Sequence, residues 1–123
     1  MNSTIQAEEY LSRSNKYWRQ ALELFEKGEV EKASELAWGS VAERIKGLSL
    51  IKSGNWLRSH KEVRNYMKMI SSQLPDKELH QLFLVAQRLH VEFYESHLDS
   101  DDVKEALLSV EKLLTKIDFL LYS

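Results

Sequence analysis

Residues 28–54 read GEVEKASELAWGSVAERIKGLSLIKSG, and this stretch decides the fold. At 100° per residue, Ala33, Leu36, Ala37, Val41, Ile45, Leu48 and Ile51 fall on one broad face, and Trp38 and Ala42 extend it round the side. The spacing predicts a helix over Val30–Ser53, ending at Gly54, and a helix with so wide an apolar face belongs at the centre of a bundle. Arg44 projects from within that face and must either snorkel to solvent or meet an acceptor. Glu35, Glu43 and Lys46 lie on the other side. Gly39 and Gly47 fall inside the helix, where each costs about 1 kcal/mol relative to alanine. Their presence predicts a close helix approach or a bulky ring, Trp or Tyr, packed over them.

Before this helix, Ala7, Leu11, Ser14, Trp18, Ala21 and Phe25 repeat in steps of four and three, which makes the first 25 or so residues a helix closed at Gly28. Tyr10, Tyr17 and Leu24 form a second seam beside the first. After it, Ser59 and Glu62 make the Ser-x-x-Glu pattern of a capping box and open a shorter helix to about Leu74, where Pro75 closes it. Val63, Met67 and Ile70 point one way along this helix; Lys61, Arg64 and Lys68 point the other. A fourth helix starts after Asp76 and puts Leu79, Leu82, Phe83, Ala86, Leu89, His90, Phe93 and His97 on one face. Ser100, followed by Asp101 and Asp102, is read as the cap of a fifth, whose buried stripe is Val103, Ala106, Leu107, Val110, Leu114, Ile117 and Leu121. Short connections imply antiparallel neighbours. The expected fold is all-α, an antiparallel up-and-down bundle of about five helices forming one domain over residues 1–123.

Composition agrees. One proline and four glycines are a third of the roughly 15 that average usage would give a chain this long, which argues against many-turned β folds. The longest apolar run, Leu82 to Ala86, is far short of the roughly 20 residues of a membrane span. The N-terminus reaches Glu8 and Glu9 with no apolar h-region, so no secretion signal is expected there. With no cysteine, disulfide frameworks and Cys-based zinc or redox sites are excluded, and a reducing cytoplasm is the default location. The net charge of −2 hides an asymmetry: residues 55–76 carry four cations against Glu62 and Asp76, and residues 99–123 carry six carboxylates against three lysines.

Several kinds of chemistry are absent. There is no Gly-rich phosphate loop, no Gly-x-Ser-x-Gly elbow and no His-Glu-x-x-His pair. A di-iron bundle would need Glu three residues before His on two helices, and those positions hold Leu57, Lys77, Gln87 and Tyr94. His90 and His97 stand two turns apart, roughly 10 Å along the axis, too far to clamp one metal ion. No metal or cofactor is expected. His90, Tyr94 and His97 form either an inward polar constellation that binds an anion or moves a proton, or a set of hydrogen-bonded core residues. Lys61, Arg64 and Lys68, with His60 at the helix start, read either as phosphate contacts or as a solvated face. Leu108, Phe119 and Tyr122 fall outside the buried stripe; with the Tyr10 and Tyr17 seam they suggest a two-fold homodimer, unless they lie under neighbouring helices.

The order of these features resembles the HEPN superfamily of helical bundles. The resemblance rests on Trp18, Arg19, Ala21 and Leu24 of the first helix, the step from Glu26 through Gly28 to Ala33, the run Ala42 to Leu48, and His60 before the third helix. Leu36-Ala37-Trp38-Gly39 and Leu89-His90-Val91-Glu92-Phe93-Tyr94 are similar to the archaeal PaREP branch, and the likeness extends from about Ser12 to Ile117. It implies an antiparallel bundle, often dimeric, in a superfamily that includes metal-independent ribonucleases and nucleotide- or RNA-binding partners of nucleotidyltransferases. The ribonucleases carry Arg, four to six residues, then His across a dimer interface. Here Arg58 and His60 are too close, as are Arg88 and His90, whereas Arg88 and His97 have eight residues between them and face opposite ways on an ideal helix. The expected function is therefore a non-catalytic module that binds nucleotide, RNA or a protein partner, a nucleotidyltransferase among the candidates, with Arg44, His60, Arg88, His90, Tyr94 and His97 as ligand residues. The alternative is a metal-independent ribonuclease with a rearranged site shared by two subunits, Arg88 or Arg64 stabilising the phosphorane and His90 or His97 acting as acid or base.

Overall fold

The computed structural model describes residues 2–95 and 99–123. They form α1 (Asn2–Glu26), α2 (Val30–Ser53), α3 (His60–Gln73), α4 (Glu78–Glu95) and α5 (Ser100–Leu121), with no strand among the described residues. None of these helices is long and apolar enough to cross a membrane.

Each boundary has a chemical cause. At Gly28 (φ +83°) the chain turns so that the glycine N–H donates to the Phe25 carbonyl and the Glu29 N–H to the Leu24 carbonyl, satisfying the last turn of α1. Ser59 caps α3 by accepting from the Glu62 N–H, while the Glu62 carboxylate reaches back to the N–H of Arg58, one residue earlier than in a standard capping box. The Asp76 carboxylate accepts from the Glu78 N–H and starts α4. The cap of α5 is Asp99 and not Ser100: the Asp99 carboxylate accepts from the Asp102 N–H at 2.9 Å. Ser100 is itself the first helical residue, and a cap must stand just outside the helix, within reach of the N–H groups two or three residues on.

α1 and α2 are antiparallel neighbours in close register, Leu11 lying over Gly47, the Ser14 hydroxyl donating to the Ser40 carbonyl at 2.6 Å, and Tyr17 lying over Gly39. A methyl at Gly47 would sit 2.8 Å from the Leu11 side chain and 3.4 Å from the Ala7 carbonyl oxygen; one at Gly39 would sit 3.3 Å from the Tyr17 ring. The close approach expected of both glycines is present, with a tyrosine over one and a leucine over the other. The buried core is built from Val41, Ile45 and Leu48 of α2, Phe83 and Leu89 of α4, and Val110, Leu113 and Ile117 of α5. Ile51, assigned to the apolar face of α2, is 47% exposed; Leu50, 100° round the helix, is buried in its place, because it points the same way as Gly39 and Gly47, toward α1.

α4 and α5 are antiparallel, tied by Lys116 to Asp76 (2.5 Å) and Lys112 to Glu78 (2.7 Å). α5 runs with α2, its Asp118 meeting Arg44 and its Ser123 carbonyl accepting from Lys52. The step from α2 to α3 positions the site. The Tyr66 hydroxyl bonds Ser53 at the end of α2, yet His60, one turn and a half earlier in α3, already lies against Trp38. Residues 54–59 therefore run back along α2, a return of roughly 20 Å that six extended residues can span. α3 then runs alongside α2, antiparallel to α4.

Candidate functional site

That return brings together two histidines thirty residues apart in sequence. The rings of His60, at the start of α3, and His90, near the end of α4, meet edge-on with centres 4.7 Å apart. Both rest on the indole of Trp38 from α2, at 5.6 Å and 5.8 Å, and Phe83 backs the indole at 5.8 Å. Glu35, one turn before Trp38, brings its carboxylate oxygens to 3.0 and 3.2 Å from His90 Nδ1, which fixes the orientation of that ring. Three helices thus converge on a small rim of imidazole, carboxylate and indole above the core.

His60 is exposed as a residue, but its ring lies against Trp38 and His90. That partial desolvation, followed by the charges of His90 and Lys46, holds its pKa below the ordinary 6.5, opposed by the Glu35 carboxylate. Lys46, farther along α2, places its ammonium 5.8 Å from the Tyr10 ring centre on α1. Arg13 covers the same ring at 5.0 Å and pairs with Glu43 at 3.5 Å. A strip of cations and aromatic rings therefore leads from the histidines across α2 to α1.

The other sequence-derived candidates separate. Arg44 does not join the histidines: it is buried on the α1/α5 side of α2, where Nη1 donates to both Asp118 oxygens at 2.8 Å, Nε donates to Ser14 at 2.9 Å and Nη2 donates to Asn15. The acceptor that its position demanded is Asp118, and about half a turn of α2 separates it from Glu35. Arg88 is also elsewhere, lining a cleft of about 340 Å³ between α4 and α5 with Asp102 and Glu105, because two residues along a helix turn a side chain to the far face. Its carboxylate neighbours make that cleft a poor phosphate site. His97 and the side chain of Tyr94 lie outside the described residues. Lys61, Arg64 and Lys68 are exposed along the outer face of α3, adjoining His60. Among the described residues no group of three or more His, Asp or Glu side chains is arranged to hold a metal ion.

Sequence reasoning missed Glu35, Trp38 and Lys46 as site residues. A signal was present: Glu35 and Lys46 differ by about 20° round the helix, and Trp38 marks the edge where the apolar face meets theirs.

The family model of the archaeal PaREP1/PaREP8 family matches residues 9–114. A crystal structure of a protein from Sulfolobus solfataricus superposes with a TM-score of 0.74 at 27% sequence identity, over 89% of this chain and 96% of that one. No curated protein matches the chain.

Proposed function

We propose that this chain, which belongs to the archaeal PaREP1/PaREP8 family, is a non-catalytic, HEPN-like binding module that receives a nucleotide or an RNA strand at the cluster of Glu35, Trp38, His60 and His90. The observation that carries the reading is the 4.7 Å meeting of two imidazoles from different helices on one indole. Two rings that repel when both are charged are a poor choice for stability and a good one for holding an anion or a base edge. The basic stripe of α3 supports the reading, since Lys61, Arg64 and Lys68 begin beside His60 and offer phosphate contacts on the same side. Absence of turnover is supported by the arginines: Arg44 is committed to Asp118, and Arg88 faces carboxylates on another surface.

Equilibrium titration with short oligoribonucleotides and mononucleotides tests this, with tryptophan fluorescence as the signal. Binding should weaken at least tenfold in His60→Ala and His90→Ala, and the RNA should be recovered intact. No binding by any member of the set overturns the proposal. A ribonuclease is the alternative, and one observation favours it: a carboxylate-oriented imidazole beside a second imidazole suits acid–base transfer. Cleavage of labelled RNA in EDTA, lost in both histidine variants, would establish that alternative.

A further inference from the structure

We propose that Lys46, His60 and His90 form a receptor for a terminal phosphate group, the dianionic phosphomonoester at the end of an RNA strand or on a nucleotide. The inference rests on the reading above that the ligand is a nucleotide or RNA, and it names the part of the ligand that is recognised.

The argument is one of charge and placement. The groups facing His60 are His90 from α4 and Lys46 and Glu35 from α2. Glu35, the one carboxylate facing His60 among the described residues, is engaged with His90 at 3.0 Å and so already orients an imidazole. On the α1 side, Arg13 is neutralised by Glu43, whereas Lys46 has no ion pair among the described residues: its ammonium stands 5.8 Å from the Tyr10 ring centre and its charge reaches His60. With both imidazoles neutral, Lys46 and Glu35 cancel; with both protonated, the four groups carry a charge of two, which matches a phosphomonoester dianion and exceeds the single charge of a phosphodiester. An internal phosphate of RNA is therefore a weaker partner than a terminal one. His60 Nε2 or Nδ1 and the Lys46 ammonium donate to phosphate oxygens, as charge-assisted hydrogen bonds. Partial burial first, and then the charges of His90 and Lys46, disfavour a proton on His60; an arriving anion offsets those charges, so binding draws a proton from solvent.

The test compares two matched pairs: one six-nucleotide RNA made with a 5′-hydroxyl or a 5′-phosphate, and one nucleoside with its 5′-monophosphate. In each pair that binds, the phosphorylated member should bind at least tenfold more tightly, and inorganic phosphate should compete. The preference should shrink below threefold in Lys46→Met and in His60→Gln, both at solvent-accessible positions, with circular dichroism confirming the fold. Calorimetry at pH 7 in two buffers of different ionisation enthalpy should show net proton uptake. A preference confined to the RNA pair, or to the nucleotide pair, identifies the source of the phosphate. Equal affinity within both pairs, with His60→Gln weakening both members alike, overturns the terminal-phosphate receptor and leaves the RNA or nucleotide reading standing. No binding by any probe ends both. An intact preference in both variants places the receptor elsewhere and overturns the assignment.

Discussion

The Arg44 side chain is 7% exposed and its partner Asp118 is 44% exposed, an imbalance that decides what each mutation does. Removing Asp118 strands a buried guanidinium, whereas removing Arg44 strands a carboxylate that water can already reach. Asp118→Ala should therefore cost about 3 kcal/mol, the lower end for a broken buried pair, and Arg44→Met, which keeps much of the packing, about 1 kcal/mol less. Urea unfolding of both variants checks the order, and a larger loss for Arg44→Met would overturn it. Neither change should alter ligand affinity, since Arg44 faces away from the histidines. His60 makes a different prediction. Its pKa in the fold lies below 6.5, so the folded state resists a proton that the unfolded chain accepts. The stability linked to His60 is complete above pH 6.5 and is lost as pH falls from there toward the folded pKa. Thermal unfolding between pH 7.5 and 5 should show a steeper fall for the native protein than for His60→Gln, and parallel curves would contradict this.

At the scale of elements, the two glycines inside α2 are not equivalent. Gly47→Ala places a methyl 2.8 Å from Leu11 Cδ2 and 3.0 Å from its Cγ, and the Ala7 carbonyl oxygen at 3.4 Å leaves the methyl itself no room to shift, so Leu11 must move. Gly39→Ala meets only the edge of the partly exposed Tyr17 ring, at 3.3 Å. Alanine gains about 1 kcal/mol of helix propensity at either position. The gain should survive largely intact at Gly39 and be outweighed at Gly47 by about 1–3 kcal/mol of overpacking. Melting temperatures of the two variants should move in opposite directions, and equal shifts would contradict the packing account. The contrast also marks how far the sequence was legible. Periodicity and stop residues locate all five helices, because burial of a stripe and completion of a terminus are local matters, and they identify the interior glycines as contact points. They do not say whether Leu11 or Tyr17 fills a contact, since that depends on the register between α1 and α2. The site is less legible for the same reason: His60 meets His90 only because residues 54–59 run back along α2, and no periodicity describes an irregular return. Arg44's need for an acceptor was readable from its position; that the acceptor is Asp118, seventy-four residues away, was not.

For the whole molecule, the outstanding surface is the outer face of α5. Leu108, Phe119 and Tyr122 are 63%, 75% and 80% exposed and lie within about 60° of one another round the helix, a stripe roughly 20 Å long. Phe119 stands at the edge of an apolar cleft of about 470 Å³ lined by Leu74, Pro75, Leu79 and Leu120. At this end, Asp76 and Glu78 alternate with Lys112 and Lys116. An aromatic knob beside an apolar cleft suits a two-fold contact, in which each copy would offer its Phe119 to the other's cleft while these ion pairs stay within each chain. A second copy of the chain is the occupant this arrangement fits. α5 packs on the Arg44 side of α2, half a turn from Glu35, so pairing through α5 leaves each histidine cluster open and complete in its own subunit. Light scattering after size exclusion should give twice the 14.4 kDa chain mass for the native protein and the single mass for Phe119→Glu. The monomeric variant should keep its affinity for phosphorylated RNA, because no residue of the proposed site comes from the partner. A native protein that stays monomeric at 100 μM would remove the dimer, and a dimer whose Phe119→Glu variant loses RNA binding would show that the site is shared.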